Sequence, residues 1–258
     1  MLTVKDLHFG YDPHEPVLKG VNFEIPTGGL CSLFGPNGCG KTTLFRCCLK
    51  QVRPQRGAVY INGCHVNTLS VKEMARQAAY VPQEQQTPFP YLVKDLVLMG
   101  RNPHASSLFG IGSTDRQKAW EALRLMEITE IADRPYNQLS GGQRQLVLIA
   151  RAIAQDARLM FLDEPTAALD FSNQIRIWRL IQRVSRQGVT VLACTHNPNH
   201  AAWFCDQVLV MHQGAVLAQG PPQEVIREPV LNAIYDGSCV IRYLEGFPVI
   251  IPGHVCPY

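Results

Sequence analysis

Apolar and polar positions divide the chain into three stretches. In the first, short alternating or apolar segments that end in turn residues predict strands at 21–25, 30–35, 57–63 and 78–83. From about residue 84 to 157, apolar residues recur at three- and four-residue spacings, and helices are predicted at 92–100, 115–128 and 139–154. The segment 101–113 lies between two of these helices and is rich in glycine and serine, which predicts an exposed loop.

Strand patterns return in the last hundred residues. Segments 158–165 and 189–196 are short apolar runs, and the helix-like segment 172–188 separates them. Segment 207–220 predicts a hairpin that turns at Gly214, and 239–252 predicts a further pair of short strands. A β-rich start, a helical insertion and then alternating strands and helices predict an α/β nucleotide-binding core that carries a helical subdomain.

Composition and charge exclude several classes of protein. The chain has 258 residues, of which 46% are hydrophobic and 17% charged, as in an ordinary globular protein with a sizeable core. Its net charge of +3 is too small to indicate nucleic acid as a partner. No apolar run approaches the roughly 20 residues of a membrane-spanning helix, and the first residues do not resemble a secretion signal. We therefore expect any membrane role to depend on a partner.

Nine cysteines are scattered along the chain, with no CxxC pair and no Cys/His cluster. Three interpretations are open: reduced and mostly buried thiols, a redox switch, or a metal site. The irregular spacing favours the first, which implies a reducing cytoplasm.

Residues 35–42 read GPNGCGKT and match the phosphate-loop pattern G-x-x-x-x-G-K-[ST], between a predicted strand and a predicted helix. Glycines let successive backbone N–H groups turn towards phosphate oxygens, the lysine adds a positive charge, and the Thr42 hydroxyl can bind Mg²⁺. A chance glycine-rich turn is the alternative. The predicted ATP-binding residues of this segment are Gly35, Pro36, Asn37, Gly38, Cys39, Gly40, Lys41, Thr42 and Thr43.

Two adjacent carboxylates follow the predicted strand LMFL. Asp163 is placed to hold Mg²⁺ through water, and Glu164 is placed to act as the base for an attacking water. A solvated acidic turn is the alternative. The pair predicts hydrolysis of the nucleotide.

A second anion-binding helix start is predicted at 139–154, about a hundred residues after the phosphate loop. Ser140, Gly141 and Gly142 begin this helix, and Gln143 follows them. Small residues there leave backbone N–H groups accessible to an anion. An ordinary serine N-cap is the alternative, but glycine in a helix costs roughly 1 kcal/mol relative to alanine. An anion site without a ligand of its own suggests a ligand that is supplied by another molecule.

The segment LSGGQ resembles the signature motif of ATP-binding cassette (ABC) ATPases, and the remaining motifs of that family occur in order. Tyr11 stands at the position that stacks on adenine, with Phe9 as a nearby competitor. Gln83 in YVPQ, Asp170 in AALD and His196 in CTH resemble the Q-loop, D-loop and switch residues of the family. The resemblance covers roughly residues 1–235.

This resemblance implies a RecA-like P-loop core with a β-rich N-terminal subdomain and an inserted α-helical signature subdomain. The ATPase domain would be 1–235, its helical subdomain about 84–157, and 236–258 a short extension. Two cassettes would pair head to tail, each ATP lying between the phosphate loop of one copy and the signature helix of the other. His196 would stabilise charge on the γ-phosphate, and Gln83 would act in catalysis and Mg²⁺ binding.

Within the family, segments 88–104, 139–155 and 196–214 resemble the importer ATPases for iron–siderophore, haem and cobalamin. A cassette of that group works at the cytoplasmic face of the membrane on a separate permease dimer, with an extracytoplasmic binding protein. We expect docking through about 83–101, where Phe89, Tyr91 and Leu92 are either docking residues or buried packing. The alternatives are a molybdate or tungstate importer and a soluble ABC ATPase of iron–sulfur assembly.

Overall fold

The computed structural model describes residues 1–83, 89–105 and 110–253. Parts of three predictions therefore lie outside the described residues: 84–88 of the helical stretch and docking window, 106–109 of the loop at 101–113, and 254–258 of the tail. The chain forms two compact units, one made of Met1–Thr68 and Leu192–Tyr258, the other of Leu69–Val191. We describe each unit by itself.

The strands and helices are numbered in chain order. The strands are β1 (Leu2–Phe9), β2 (Leu18–Ile25), β3 (Leu30–Phe34), β4 (Arg56–Ile61), β5 (Cys64–His65), β6 (Ala78–Val81), β7 (Leu159–Leu162), β8 (Thr190–Thr195), β9 (Gln207–His212), β10 (Ala215–Gly220), β11 (Cys239–Leu244) and β12 (Phe247–Pro252). The α-helices are α1 (Lys41–Cys48), α2 (Val71–Gln77), α3 (Val93–Leu98), α4 (Ser113–Leu125), α5 (Gly141–Ala154), α6 (Phe171–Arg186), α7 (Pro198–Phe204), α8 (Pro222–Val225) and α9 (Glu228–Tyr235).

An antiparallel sheet in the order β2-β1-β4-β5 belongs to the first unit. Strand β2 buries Val21, Phe23 and Ile25 and exposes Asn22 and Glu24, so the alternation predicted at 21–25 is confirmed. The strand itself begins three residues earlier than the pattern indicated, at the buried Leu18. Strand β1, which the pattern did not predict, pairs with both β2 and β4.

The same unit contains strands in the order β10-β9-β3-β8, and the first two residues of β8 belong to the other unit. All five residues of β3 are buried, and β3 runs parallel to β9. Such burial on both faces explains why β3 reads as a continuous apolar run. Strands β9 and β10 form the predicted hairpin, with Gly214 in its turn. Strand β3 ends directly before the phosphate loop, which leads into α1.

The second unit combines a parallel pair of strands, β6 and β7, with the predicted helices. Helices α3, α4 and α5 pack against one another, and α5 buries an apolar face that includes Leu146, Val147 and Ile149. Helix α2 was not predicted, because only Met74 of its seven residues is buried and the apolar period is therefore weak. Its start is fixed by a capping box between Ser70 and Glu73.

The last part of the first unit packs into one apolar cluster. Helix α9 contributes Leu231 and Ile234, and the hairpin β11–β12 contributes Ile241 and Ile250. Strands β11 and β12 pair antiparallel, so the predicted pair of strands at 239–252 is confirmed. The α/β class is confirmed as well, whereas the boundaries 1–235 and 236–258 remain our proposal for the domain organisation.

Most cysteines are buried, as the sequence predicted. Six of the eight in the described ranges are buried, Cys64 is exposed, and all eight are free thiols. Burial raises the pKa of Cys31 and of Cys47 to about 12, which keeps both thiols protonated and unreactive at neutral pH. Cys256 lies outside the described residues.

Candidate functional site

The loop between β3 and α1 has the conformation that a phosphate-binding turn requires. Gly38 and Gly40 adopt positive φ angles of 78° and 104°, which glycine tolerates far better than other residues. Gly40 is the N-cap of α1 and provides no side-chain cap, so the first N–H groups of this helix are left to other acceptors. A helix start of this kind binds phosphate oxygens.

Close packing explains the first glycine of the loop. A Cβ atom on Gly35 would lie 2.2 Å from the carbonyl oxygen of Met211 and 3.0 Å from the Sγ of Cys39. The Cys39 side chain is only 4% exposed, and burial raises the pKa of its thiol. Asn37 and Gly38 are exposed. Cys39 can therefore offer a ligand its backbone but not its side chain.

Lys41 is held inside this loop. Its Nζ atom donates to the carbonyl oxygens of Gly35 at 2.9 Å and of Pro36 at 3.0 Å, and the residue is 6% exposed. Thr42 is exposed at the start of α1, whereas Thr43 is 8% exposed. The loop thus combines one ammonium group with one accessible hydroxyl.

Tyr11 and Phe9, the two candidates for stacking on adenine, differ in exposure. Phe9 is buried in β1, whereas Tyr11 is 59% exposed and meets the Phe9 ring edge-on with centroids 4.9 Å apart. The Tyr11 hydroxyl accepts a hydrogen bond of 2.9 Å from Nη1 of Arg46 in α1. Only Tyr11 therefore presents a ring face to a base. The sequence did not indicate this contact of Arg46. The one feature that could have pointed to it is a basic residue on the exposed side of α1.

The end of β7 carries the two predicted carboxylates. Asp163 is 3% exposed, its N–H donates to Val81, and its Oδ2 accepts from the Tyr80 hydroxyl at 3.3 Å. Glu164 follows with a positive φ of 49°, and its Oε2 accepts from Nε2 of Gln83 at 3.3 Å. The structure thus brings together two predicted residues that are 81 positions apart. A left-handed glutamate at the end of a buried strand is a strained conformation of the kind found at functional sites.

Ser140 is the N-cap of α5. Its hydroxyl accepts from the N–H of Gln143 at 3.3 Å, while Oε1 of Gln143 accepts from the N–H of Ser140 at 3.2 Å. This capping box is the ordinary structural role that the sequence left open for the serine. The capping box does not require glycine at 141 or 142. Close packing against Asn173 explains Gly142, whereas a Cβ on Gly141 would make only an ordinary contact with Leu169 at 3.6 Å.

Asp170 lies near the start of α5, because Asn173 contacts both of them. It caps α6, accepting from the N–H of Asn173 at 3.0 Å and from its Nδ2 at 2.6 Å. Both hydrogen bonds lower the pKa of Asp170, and the one from the backbone N–H of Asn173 has the larger effect. A Cβ on Gly142 would lie 3.2 Å from Cγ of Asn173. The signature residues and Asp170 are therefore neighbours.

His196 follows β8 directly and is exposed. Its carbonyl oxygen accepts a hydrogen bond of 2.9 Å from the hydroxyl of Tyr235. Asn197 then caps α7, accepting from the N–H of Asn199 at 2.9 Å. Burial, and secondly the charge of His196, lower the pKa of His200 in α7 to about 4, which keeps His200 neutral.

The predicted ligands of Mg²⁺ supply hard oxygen donors: a threonine hydroxyl at Thr42, a carboxylate at Asp163 and a side-chain amide at Gln83. Such donors suit Mg²⁺, which proteins bind through one or two carboxylates together with substrate phosphates. Across the described ranges, no three His, Cys, Asp or Glu residues form a metal-binding group.

The predicted docking window exposes aromatic side chains. Phe89 is 60% exposed and Tyr91 is 39% exposed, with ring centroids 5.9 Å apart, whereas Leu92 is partly buried. This exposure favours the docking interpretation for the two aromatic residues over buried packing. In the ranges that the structure describes, no helix has the length and apolar character needed to cross a bilayer.

Comparison with known proteins decides the family. The family model for ABC transporters matches residues 18–167. The chain belongs to the ABC transporter family. As a member of this family it binds ATP and is an ATPase, which confirms the prediction of a hydrolysed nucleotide.

Relatives of this ABC protein are similar over most of its length. The iron(3+)-hydroxamate import ATP-binding protein FhuC of Bacillus subtilis is 37% identical over 91% of this chain and 87% of its own. The ferric enterobactin transport ATP-binding protein FepC of Escherichia coli is 34% identical over 99% and 96%. The hemin import ATP-binding protein HmuV of Streptomyces coelicolor is 38% identical over 86% and 78%.

Solved structures of ABC proteins share the fold. One belongs to a transporter assigned to the metal-chelate type, in an inward-facing conformation; it has a TM-score of 0.84 and 32% identity and covers 97% of this chain and 96% of its own. Another is a dimeric ATP-binding cassette in a post-hydrolysis state with bound ADP and phosphate, with a TM-score of 0.75 and 29% identity over 86% of this chain and 99% of its own.

Proposed function

We propose that this chain is the ATP-hydrolysing subunit of an importer for an iron chelate, either an iron–siderophore or haem. The observation that carries the proposal is the similarity, over 86–99% of the chain, to three subunits named for iron(3+)-hydroxamate, ferric enterobactin and hemin. Cobalamin is a further candidate cargo. None of these three subunits is named for molybdate, tungstate or iron–sulfur assembly, so they favour the iron chelate over those alternatives.

In our proposal, the phosphate loop holds the ATP phosphates through the backbone of residues 35–43. Lys41 exchanges its two carbonyl acceptors for phosphate oxygens, which are better partners for an ammonium because they are charged. Tyr11 stacks on adenine, since Phe9 is buried. Thr42, Asp163 and Gln83 would hold Mg²⁺, which would neutralise the developing charge on the phosphates.

For hydrolysis, Glu164 is the proposed base that accepts a proton from the attacking water. Its hydrogen bond to Gln83 sets the direction of the carboxylate before a water is engaged. His196 would donate to the γ-phosphate and stabilise the charge that grows during attack. Its exposed position at the end of β8 supports this role.

We propose further that two copies pair head to tail. Ser140, Gly141, Gly142 and Gln143 of one copy, supported by Asp170, would meet the ATP held by the phosphate loop of the other. Two observations support this arrangement: the glycine at 141, which neither the helix nor its neighbours require, and a related cassette solved as a dimer with bound ADP and phosphate.

Cross-linking tests the pairing. Asn37 is exposed in the phosphate loop, whereas the native Cys39 of the same loop is buried. We would combine Asn37→Cys with Ser140→Cys, replace the accessible Cys64 by serine, and oxidise mildly with ATP in the presence of Glu164→Gln. A disulfide requires Cα atoms within about 7 Å. We expect a covalent dimer that depends on ATP and on both new cysteines; a protein that remains monomeric at every ATP concentration would contradict the pairing.

The proposed transport role places the chain on the cytoplasmic side of the membrane, bound to a permease dimer through Phe89 and Tyr91. Affinity purification from membranes of the native cell tests it. We expect a polytopic membrane protein to co-purify, and the binding protein of the same system to bind ferric siderophores or hemin. A binding protein that is specific for molybdate would refute the proposed cargo. Co-purification of a soluble iron–sulfur scaffold in place of a membrane protein would refute the transport role.

A further inference from the structure

Tyr235, the last residue of α9, contacts two segments of the same unit that the proposed mechanism uses. Its ring packs against Phe34, with centroids 6.2 Å apart, and Phe34 is the residue directly before the phosphate loop. Its hydroxyl donates to the carbonyl oxygen of His196 at 2.9 Å. One side chain thus touches the entry to the phosphate loop and the backbone of the switch histidine.

The tyrosine is suited to hold this bond permanently. It is half-buried, and burial raises its pKa to about 12. The phenol therefore remains protonated at every pH at which the protein would work, and its one hydrogen is directed to a backbone acceptor that cannot titrate. This hydrogen bond constrains the carbonyl of His196, while the residue itself is exposed.

The C-terminal hairpin anchors the surrounding elements. Asn199 in α7 accepts from the N–H of Ile250 at 2.8 Å and donates to its carbonyl oxygen at 3.0 Å. Nε1 of Trp203, also in α7, donates to the carbonyl oxygen of Pro248 at 2.7 Å. The hairpin also shares an apolar cluster with α9. Both the helix that starts two residues after His196 and the helix that ends in Tyr235 are therefore bound to the same hairpin.

We propose that Tyr235 is a positioning residue for His196 and that the β11–β12 hairpin holds it in place. Without the hydroxyl, the carbonyl of His196 loses its fixed direction and the imidazole samples positions from which it does not meet the γ-phosphate. This inference rests on the proposed role of His196. The proposal also gives the β11–β12 hairpin a role in ATP hydrolysis, although this hairpin lies beyond the last motif of the family in the sequence.

The test is a double-mutant cycle on the full chain with Tyr235→Phe and His196→Ala, measuring the kcat and KM of ATP hydrolysis. Tyr235→Phe removes one hydroxyl and keeps the ring against Phe34. We expect kcat to fall about two- to tenfold, the equivalent of one hydrogen bond, with KM unchanged. In the His196→Ala background the same change should alter kcat by less than about twofold, because the group it positions is gone.

A matched control is Tyr243→Phe, the same chemical change at a hairpin tyrosine that is 71% exposed, and we expect it to leave kcat and KM unchanged. An equal loss from Tyr235→Phe in both backgrounds, or no loss in either, would overturn the positioning role. A His196→Ala variant with full activity would instead refute the proposed role of His196 itself. Thermal melting of each variant separates these effects from unfolding; we expect the midpoint of Tyr235→Phe to fall by no more than about 6 °C, the equivalent of one hydrogen bond.

Discussion

Replacing Gly141 by alanine separates the structural role of the signature helix from its proposed role in catalysis. Gly141 is the first residue of α5, it is exposed, and its φ angle is not positive. A Cβ there would have one neighbour within 4 Å, the Cδ2 of Leu169 at 3.6 Å, which is an ordinary van der Waals contact. Nothing within the described part of the protein therefore requires glycine at this position.

The size of the effect follows from this geometry. Alanine is better than glycine in a helix by 0.8–1.0 kcal/mol, and somewhat less is expected in the first turn. We expect Gly141→Ala to raise the free energy of unfolding by about 0.5–1 kcal/mol and the melting temperature by about 1–4 °C. If the backbone of Gly141 meets the phosphate of an ATP held by a second copy, the added methyl group should nevertheless lower ATPase activity at least about tenfold.

Thermal melting and steady-state phosphate release, measured on the same preparation, provide the two readouts. Gly112→Ala is the matched control at the N-cap of α4, where the nearest atom to a new Cβ is 3.9 Å away, and we expect unchanged ATPase activity. A Gly141→Ala protein that is stabilised and fully active would refute the proposed contact with phosphate. A Gly141→Ala protein with a lower melting temperature would show that glycine at this position is needed for stability.

Three further predictions test other parts of the site. Glu164→Gln should lower ATP hydrolysis about a hundred- to ten-thousandfold and retain ATP in equilibrium binding, because the amide keeps the shape but cannot accept the proton; near-normal turnover would exclude Glu164 as the base. Serine at both Phe89 and Tyr91 should abolish co-purification of the membrane partner and leave the melting temperature and ATPase activity of the isolated subunit unchanged, because both rings are exposed; a lower melting temperature would assign them to the core. His200, with its pKa lowered to about 4, binds protons less readily in the folded state than unfolded, so stability should be constant above about pH 6.5 and fall towards pH 4. Between pH 8 and 5, wild type should lose about 1–2 kcal/mol more than His200→Gln in urea unfolding, after allowance for solvent screening, and equal losses would contradict the assignment.

Segments whose structure depends on neighbouring positions could be predicted from the sequence. The phosphate loop, the strand before Asp163 and the helix after Ser140 each repeat a local pattern of apolar, glycine and capping residues. The turn at Gly214 belongs to the same class. In these segments the backbone conformation follows from residues within one or two turns, so one sequence was sufficient to recognise them.

Short helices could not be predicted in this way. Helices α7, α8 and α9 contain seven, four and eight residues, and each is too short to be stable alone. They form because an apolar cluster that includes Val225, Leu231 and Ile234 takes up their buried faces, and that cluster exists only in the folded chain.

In the candidate site, too, some features follow from the local sequence and others depend on tertiary packing. The sequence by itself determined which chemical groups are present: a lysine and threonine after a glycine loop, two carboxylates after a strand, and a serine with two glycines before a helix. Tertiary structure decided which neighbours act on them. Burial of Phe9 leaves Tyr11 as the accessible ring, and the bonds Tyr80–Asp163 and Tyr235–His196 join residues 83 and 39 positions apart. Contacts across such separations depend on how strands and helices pack, and a pattern with a period of two to four residues carries no information about that packing.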